Sequence, residues 1–320
     1  MLKPVLARFL LSDLRTLKRA AILGFTVCSG LWGEHFVSAA ESSSPVPNGI
    51  ILQAVSESKA LRDGKTIALE TGMLIYPGDR LQTAIGDSVL VQCNDLTLQA
   101  IAAGSTWNNN CPFESEPKCP EDAIKCPHRG EPRQVNPFIP YIIHPRRTAL
   151  LNPRPLLQWN PLAEASIYTV VVRGEGVEWT TETDRTQIVY SGEIPLQPEG
   201  HYFFIVTADT GQSSRQEPPQ LGGMGFWLLD ESTAQRVREK EAHILQTVPE
   251  GTANTLAIAH LYLKHGLISE GISRLEEWIA LGGRSASVHR LLGDLYANHL
   301  LLDIQARQHY ERAETLEQSL

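Results

Sequence analysis

Two short segments near the end of the chain repeat with an offset of 34 residues. The first is Ala259-His260-Leu261-Tyr262, and the second is Gly293-Asp294-Leu295-Tyr296. Small and large residues alternate in a related way after each segment, at Gly271, Leu275 and Trp278 and again at Ala306, Tyr310 and Ala313. A small residue lets two helices approach closely, and a large one fills the space beside it. The pattern predicts two pairs of antiparallel helices, about 252–284 and 286–318.

This repeat resembles the tetratricopeptide repeat, whose period is also 34 residues. In that family the first helix of each unit lines a concave surface that binds peptides. The resemblance implies that the concave, partner-binding face carries His260, Lys264, Arg290, Asp294 and Asn298. The alternative is that these side chains are only solvated. The second unit has one extra residue between Tyr296 and Ala306.

A further helix is expected just before the repeats. Ser232-Thr233-Ala234-Gln235 has the capping-box pattern that opens a helix, and Pro249 and Gly251 end it. Two repeats bury little core without neighbours, so this helix, or a partner chain, should cover their exposed end. Residues 231–320 are therefore predicted to form an all-α tail.

Residues 49–110 alternate short apolar runs with turn signals such as Asp63-Gly64 and Pro77-Gly78. Short strands bury one face only by pairing into a sheet, so this segment should be all-β. Its turns and apolar positions, from Arg62-Asp63-Gly64 through Leu69, Gly72 and Pro77-Gly78-Asp79-Arg80-Leu81-Gln82-Thr83 to Val89-Leu90-Val91, resemble the FecR-type periplasmic sensor domain. Signalling members of that family carry a cytoplasmic domain before a membrane helix. Only 19 residues precede the apolar run here, so we expect a free-standing module.

Residues 148–229 contain strand patterns at the spacing of an all-β sandwich. Leu157-x-Trp159, Tyr168-x-Val170-x-Val172 and Leu196-x-Pro198-x-x-x-Tyr202 resemble strands B and C and the tyrosine corner of a fibronectin type III or immunoglobulin-like domain. The resemblance places Trp159 and Tyr202 in the core. A sugar-stacking platform that includes Trp179 is the alternative.

Four cysteines follow the first apolar segment: Cys93, Cys111, Cys119 and Cys126. The last three lie in a Cys/Pro-rich linker, 111–147, whose composition cannot build a core. We expect two disulfides, with Cys93–Cys111 and Cys119–Cys126 as the suggested pairing among three possible ones. A zinc site would use Cys111, Cys119, Cys126 and His128, but its spacing differs from that of usual zinc knuckles.

Residues 1–40 have the pattern of a secretory signal: five basic residues, an apolar run at Ala20–Trp32, and a small-x-small site. Cleavage is expected after Ala40, or after Ala39, and an uncleaved inner-membrane anchor is the alternative. No other stretch approaches the 18 apolar residues that would suggest a spanning helix. The mature chain is therefore expected to be soluble and periplasmic, where disulfides form.

Charge and motifs narrow the function. A net charge of −8 argues against binding the phosphate backbone of nucleic acids. No phosphate-binding loop, zinc-protease helix or nucleophile elbow occurs, so neither catalytic residues nor a cofactor or metal is expected.

The set of modules resembles exported multi-domain proteins of bacterial, notably cyanobacterial, envelopes. We predict separately folded modules in a protein that is not an enzyme and that binds or scaffolds unknown envelope proteins. Envelope sensing through the FecR-like domain and cell-wall carbohydrate binding are the alternatives.

Overall fold

The computed structural model describes residues 46–54, 57–112, 134–218 and 225–318. They belong to one compact unit, Ser44–Leu320. Two β regions are followed by a tail of five α-helices, which confirms the predicted order of a β part and an α-helical tail. The predicted signal segment with its cleavage site at Ala40, and Cys119 and Cys126, lie outside the described residues.

Eight strands form the first β region. They are β1 (Gly49–Gln53), β2 (Lys59–Arg62), β3 (Lys65–Ala68), β4 (Leu74–Ile75), β5 (Arg80–Gln82), β6 (Val89–Cys93), β7 (Leu98–Ile101) and β8 (Thr106–Asn108). They pair into two antiparallel sheets, in the orders β4-β1-β6-β7 and β3-β2-β5-β8. One buried cluster contains side chains of both sheets, among them Ile51, Leu81 and Val91. Alternate residues of a strand point to one face, so these short runs contribute every second side chain to that core.

The turn motifs of this region have structural roles. Between β2 and β3, Asp63 has φ 48° and Gly64 has φ 76°, as a type I′ hairpin turn requires. Asp79, from the Pro-Gly-Asp turn, is buried and accepts hydrogen bonds from Arg62 at 2.7 and 2.9 Å. It also accepts one from the Tyr76 N–H at 2.9 Å. The Asp79 carboxylate therefore joins the turn after β4 to β2.

The second β region also has eight strands. They are β9 (Ile142–His144), β10 (Thr148–Leu150), β11 (Leu156–Trp159), β12 (Tyr168–Gly174), β13 (Val177–Thr183), β14 (Gln187–Val189), β15 (His201–Ala208) and β16 (Gly225–Leu228). One sheet has the order β10-β16-β15-β12-β13, and the other has the order β14-β11-β9. A buried cluster that includes Trp159, Val170 and Phe204 draws on both sheets.

This region begins upstream of the expected boundary at 148. Strand β9 lies inside the segment 111–147, which the composition marks as a linker, and it pairs with β11. Just before it, Val135, Ile139 and Tyr141 are buried against the tail. These apolar residues follow the Cys/Pro-rich stretch and supply the core that the stretch itself lacks.

The tail contains α1 (Glu231–Thr247), α2 (Thr252–Lys264), α3 (Ile268–Ala280), α4 (Ala286–Asp294) and α5 (Asp303–Glu317). The N-cap of α1 is Asp230, whose carboxylate accepts a hydrogen bond from the Thr233 N–H, and not Ser232, as the capping-box pattern predicts. Ser232 donates its hydroxyl hydrogen to the same carboxylate, because an ionised oxygen is the stronger acceptor. Helix α1 packs on α2 and covers that end of the repeats.

The extra residue of the second repeat lies in a π-helical turn. Helix α4 continues into this turn, Leu295–Leu300, which ends at Leu301 with φ 56°. A π-helix closes its hydrogen bonds over one residue more than an α-helix does. The turn therefore accommodates the additional residue between Tyr296 and Ala306.

The expected separate modules share their cores. One buried cluster contains Ile50 and Leu52 of the first β region, Ala149 and Trp227 of the second, and most of the apolar residues of α1–α5. The helical tail is thus buried against both β regions.

Candidate functional site

The first β region covers part of the predicted concave face. His260 of α2 faces the end of β6, where its two ring nitrogens lie 3.0 Å from Gln92 Oε1 and 3.1 Å from Asn94 Oδ1. Beside this contact, Leu256 of α2 and Ile50 of β1 belong to the same buried cluster. The ring of His260 is therefore engaged within the chain. A partner could bond it only after this contact opened, and its partner-binding role stays a prediction.

His260 is held in its neutral form. Burial lowers its pKa to about 4, and the positive charge of Lys264 contributes to the same shift. A neutral imidazole has one donor and one acceptor nitrogen, so its two amide partners cannot both present oxygen. The Nε2 of Gln92 is buried without a hydrogen-bond partner in the described chain. Turning the Gln92 amide over lets Nε2 donate to one ring nitrogen, and the other ring nitrogen can then donate to Asn94 Oδ1.

A second contact joins the first β region to α4. Ser285, the N-cap of α4, has its Oγ 3.4 Å from Oε2 of Glu70, which lies in the turn before β4. Negative charge at the start of a helix is favourable because the first N–H groups point toward it. Tyr76 directly follows β4. Burial raises its pKa, and the negative charge of Asp294 contributes to the same shift. The first β region therefore faces the first helix of both repeats.

The other four predicted partner-binding residues are exposed: Lys264, Arg290, Asp294 and Asn298. Arg290 forms a two-point ion pair with Glu317 at 2.6 and 2.9 Å, which raises the pKa of the guanidinium. Asp294 accepts a hydrogen bond from the Tyr310 hydroxyl at 2.8 Å. The structure thus separates the five residues into a covered one, His260, and four that solvent reaches.

An anchor between the second β region and the tail was not predicted. Arg146 is fully buried, and its guanidinium pairs with Glu217 at 2.7 and 3.0 Å. Its Nε donates to the carbonyl oxygen of Leu300, at the end of the π-helical turn, and Nη1 donates to that of Ile142 at 3.2 Å. In the sequence, only the Arg146-Arg147 pair beside an apolar strand hints at a buried ion pair. Nothing around Glu217 marks it as the partner.

A cluster of rings lies between the last helices. Nδ1 of His289 and Nδ1 of His309 are 3.1 Å apart, and His309 stacks on Tyr296 with ring centroids 5.5 Å apart. The Tyr296 hydroxyl donates to Glu276 at 2.7 Å. Burial lowers the pKa of His309 to about 4, with His289 adding to the shift. Among the residues that the structure describes, no three His, Cys, Asp or Glu side chains converge as metal ligands.

The aromatic residues considered for sugar stacking are in the core or beside it. Trp159 and Tyr202 are buried, as predicted, and the Tyr202 hydroxyl accepts a hydrogen bond from the Gln197 N–H at 2.8 Å. Trp179 is half-buried and packs edge-on against Tyr190. A shallow groove of about 370 Å³ lies nearby, lined by Leu156, Thr183, Arg185, Gln187, Ile188 and Val189.

The predicted pairing of Cys93 with Cys111 is confirmed. The two residues form a disulfide that ties the end of the first β region to β6. Cys111 is therefore not available as a zinc ligand in this structure, whereas the pairing of the remaining cysteines stays a prediction. No helix in the described ranges is long and apolar enough to cross a membrane.

No protein-family model matches this sequence, and no curated protein matches it significantly.

Proposed function

We propose that the chain is a non-catalytic, exported protein that binds or scaffolds other proteins of the periplasm. In this proposal β1–β8 is a FecR-like domain, the second β region is a fibronectin type III-like domain, and α2–α5 are two tetratricopeptide-like repeats. The partner is an envelope protein that contacts the open part of the repeat face.

The observation that carries the proposal is the exposed line of polar residues on α4 and the following turn. Arg290, Asp294 and Asn298 are spaced four residues apart, so they share one side of the helix. Two of them are oriented by hydrogen bonds to α5: Arg290 donates to Glu317, and Asp294 accepts from Tyr310. Side chains that are already ordered lose less entropy when a partner binds.

The rest of the molecule supports a scaffolding role. The tail is packed on the first β region through α2 and joined to the second through Arg146. A surface held from two sides keeps its shape, which favours recognition of one partner geometry. Its mixed charge, one basic and one acidic residue a turn apart, suits a protein segment that carries both signs.

The test is affinity capture from envelope fractions with the full mature chain as bait. Arg290→Glu and Asn298→Arg should each reduce the recovered partner at least about tenfold, because a charged contact at a docked surface is worth about 1.4 kcal/mol or more. The matched control is Arg238→Glu on α1, which breaks a comparable exposed ion pair with Glu231.

Equal recovery with all three variants would contradict the proposed face. Folding is checked by the thermal unfolding midpoint, which should hardly change because exposed ion pairs contribute about 1 kcal/mol at most.

Envelope sensing is a second candidate, supported by the contact of His260 with Gln92 and Asn94. A ligand that moved β6 would move α2 through this contact. Titration of the purified chain with envelope extracts of small molecules, followed by amide exchange of α2, tests it: altered protection of α2 would favour sensing over scaffolding.

A further inference from the structure

The second β region is bonded to the turn between α2 and α3 and to the first turn of α3. The Ala149 N–H of β10 donates to the Gly266 carbonyl oxygen at 3.1 Å, and the Ser269 N–H donates to Thr148 Oγ1 at 3.2 Å. One residue beyond β10, the Leu151 N–H donates to Glu270 Oε1 at 3.0 Å. We call these three hydrogen bonds, with the strand and turn that make them, the joint.

Glu270 contributes one oxygen to the joint and leaves the other without a partner. Its Oε2 is shielded from solvent and has no hydrogen-bond partner among the described atoms. The Leu151 N–H, with the Glu270 N–H at the start of α3 adding to it, compensates an ionised carboxylate only in part, so a charge at this buried position is costly. The protonated carboxyl is neutral and still offers an oxygen to Leu151.

The charged groups of the packed elements are engaged elsewhere. On α3 itself, Arg274 pairs with Glu277 at 3.0 Å. At the end of α2, burial lowers the pKa of His265, which favours its neutral form. Before β10, Arg146 pairs with Glu217, and burial lowers the pKa of Arg147, with Arg146 adding to the shift.

The pKa of Glu270 reflects this environment. Burial raises the pKa of Glu270 from 4.5 to about 7. The backbone N–H groups of Leu151 and of Glu270 itself act in the opposite direction and lower it. Both the unpartnered Oε2 and the raised pKa indicate that Glu270 keeps its proton in the closed joint at a pH at which a solvated carboxyl would lose it.

We propose that Glu270 is a pH-operated latch, which closes the joint between the second β region and the helical tail when its carboxyl is neutral and loosens it on ionisation. The step is a proton transfer from the carboxyl to water, with no other bond made or broken.

The direction follows from linkage. The closed joint retains the proton up to about pH 7, whereas an open one loses it near pH 4.5. Between these values each unit of pH raises the ratio of open to closed joint by up to about tenfold, and above them the ratio is constant. The closed joint is thus most favoured in acid and least favoured above neutral pH. The pH of a compartment that is open to the external medium can vary over this range.

Amide exchange of the full mature chain tests the proposal. The protection factor of the Leu151 N–H, corrected for the intrinsic rate, should fall about 40-fold from pH 5 to pH 7. In Glu270→Gln, which keeps the acceptor oxygen but cannot ionise, it should not change with pH. Glu277→Gln is the control, because Glu277 lies on the same helix and is exposed.

A pH-independent Leu151 in the wild-type chain, or the same slope in Glu270→Gln, would overturn the proposal. Should Glu270→Gln fail to fold, the carboxyl carbon of Glu270 is followed by NMR in the wild-type chain. A midpoint near 7 supports the latch, and one near 4.5 refutes it. None of these outcomes depends on partner binding, so the latch and the proposed function fail separately.

Discussion

Gly72 of the first β region lies directly against Val288 of α4, and a Cβ atom built on Gly72 would be 2.2 Å from Val288 Cγ2. Its φ of +85° also lies in the left-handed region that favours glycine. Two segments more than 200 residues apart therefore meet where only a hydrogen atom fits. Glycine meets both requirements, because it adopts the left-handed conformation without strain and has no Cβ to clash with Val288.

Gly72→Ala should destabilise the chain by about 2–4 kcal/mol. Left-handed backbone costs alanine about 1 kcal/mol, and the clash with Val288 adds about 1–3 kcal/mol. Urea unfolding measures the change. Gly86→Ala is the control, since Gly86 has φ +88° and open space around it, and it should cost about 1 kcal/mol. Equal losses in both variants would show that the contact with Val288 contributes nothing.

Arg146→Met should lower the free energy of unfolding by about 3–5 kcal/mol, because it leaves the carboxylate of Glu217 buried without its partner. Adding Glu217→Leu should recover much of the loss, since the second charge is then removed as well. Chemical denaturation of the single and double variants measures both effects. Arg173→Met, which breaks the exposed pair with Glu178, should cost less than about 1 kcal/mol. The anchor would be refuted if Arg146→Met behaved like Arg173→Met.

Removing the disulfide by Cys111→Ala should cost about 3 kcal/mol, as expected for a bond that closes a loop of 18 residues. Reduction should lower the denaturation midpoint of the wild-type chain more than that of Cys111→Ala, in which only the predicted Cys119–Cys126 bond remains to be broken. If the reductant left the wild-type denaturation midpoint unchanged, the Cys93–Cys111 disulfide would contribute nothing to stability.

His260 should make the chain less stable in acid. Its pKa in the folded state is about 4, below the ordinary 6.5, so the folded chain binds fewer protons than the unfolded one between these values. The contribution is complete above pH 6.5 and is lost as the pH falls toward 4, at up to about 1.4 kcal/mol per pH unit. His260→Gln, which bonds amides but does not titrate, should flatten the profile measured by urea unfolding. An unchanged slope would mean that the pKa of His260 is the same in the folded and the unfolded chain.

Local patterns predicted most of the elements because short-range physics sets them. Asp63-Gly64 made the hairpin between β2 and β3, and Pro249 ended α1. Alternation predicted β12, and the buried Trp159 and Tyr202 follow from positions in a resembled fold. The cap of α1 was misplaced by two residues because both Asp230 and Ser232 carry acceptors, and the charged one prevails.

Long-range pairing could not be predicted in the same way. The repeat pattern predicts which side of α2 carries His260, but Gln92, which contacts it, lies 168 residues away in the chain. The partner of Arg146 is 71 residues distant and stands in no motif. Repeat position describes a helix relative to its neighbours and contains no information on a distant sheet. For the candidate face, the pattern therefore supplied the residues and not what covers them.

The apolar cluster that runs from β1 through α2 to α5 also limits how such a chain can evolve. A recombination event that carried only the helices into another gene would leave the side of α2 that carries His260 and packs on β1 open to water. Such a fusion would be prone to aggregate, so descendants of this chain should inherit the strands and the helices together.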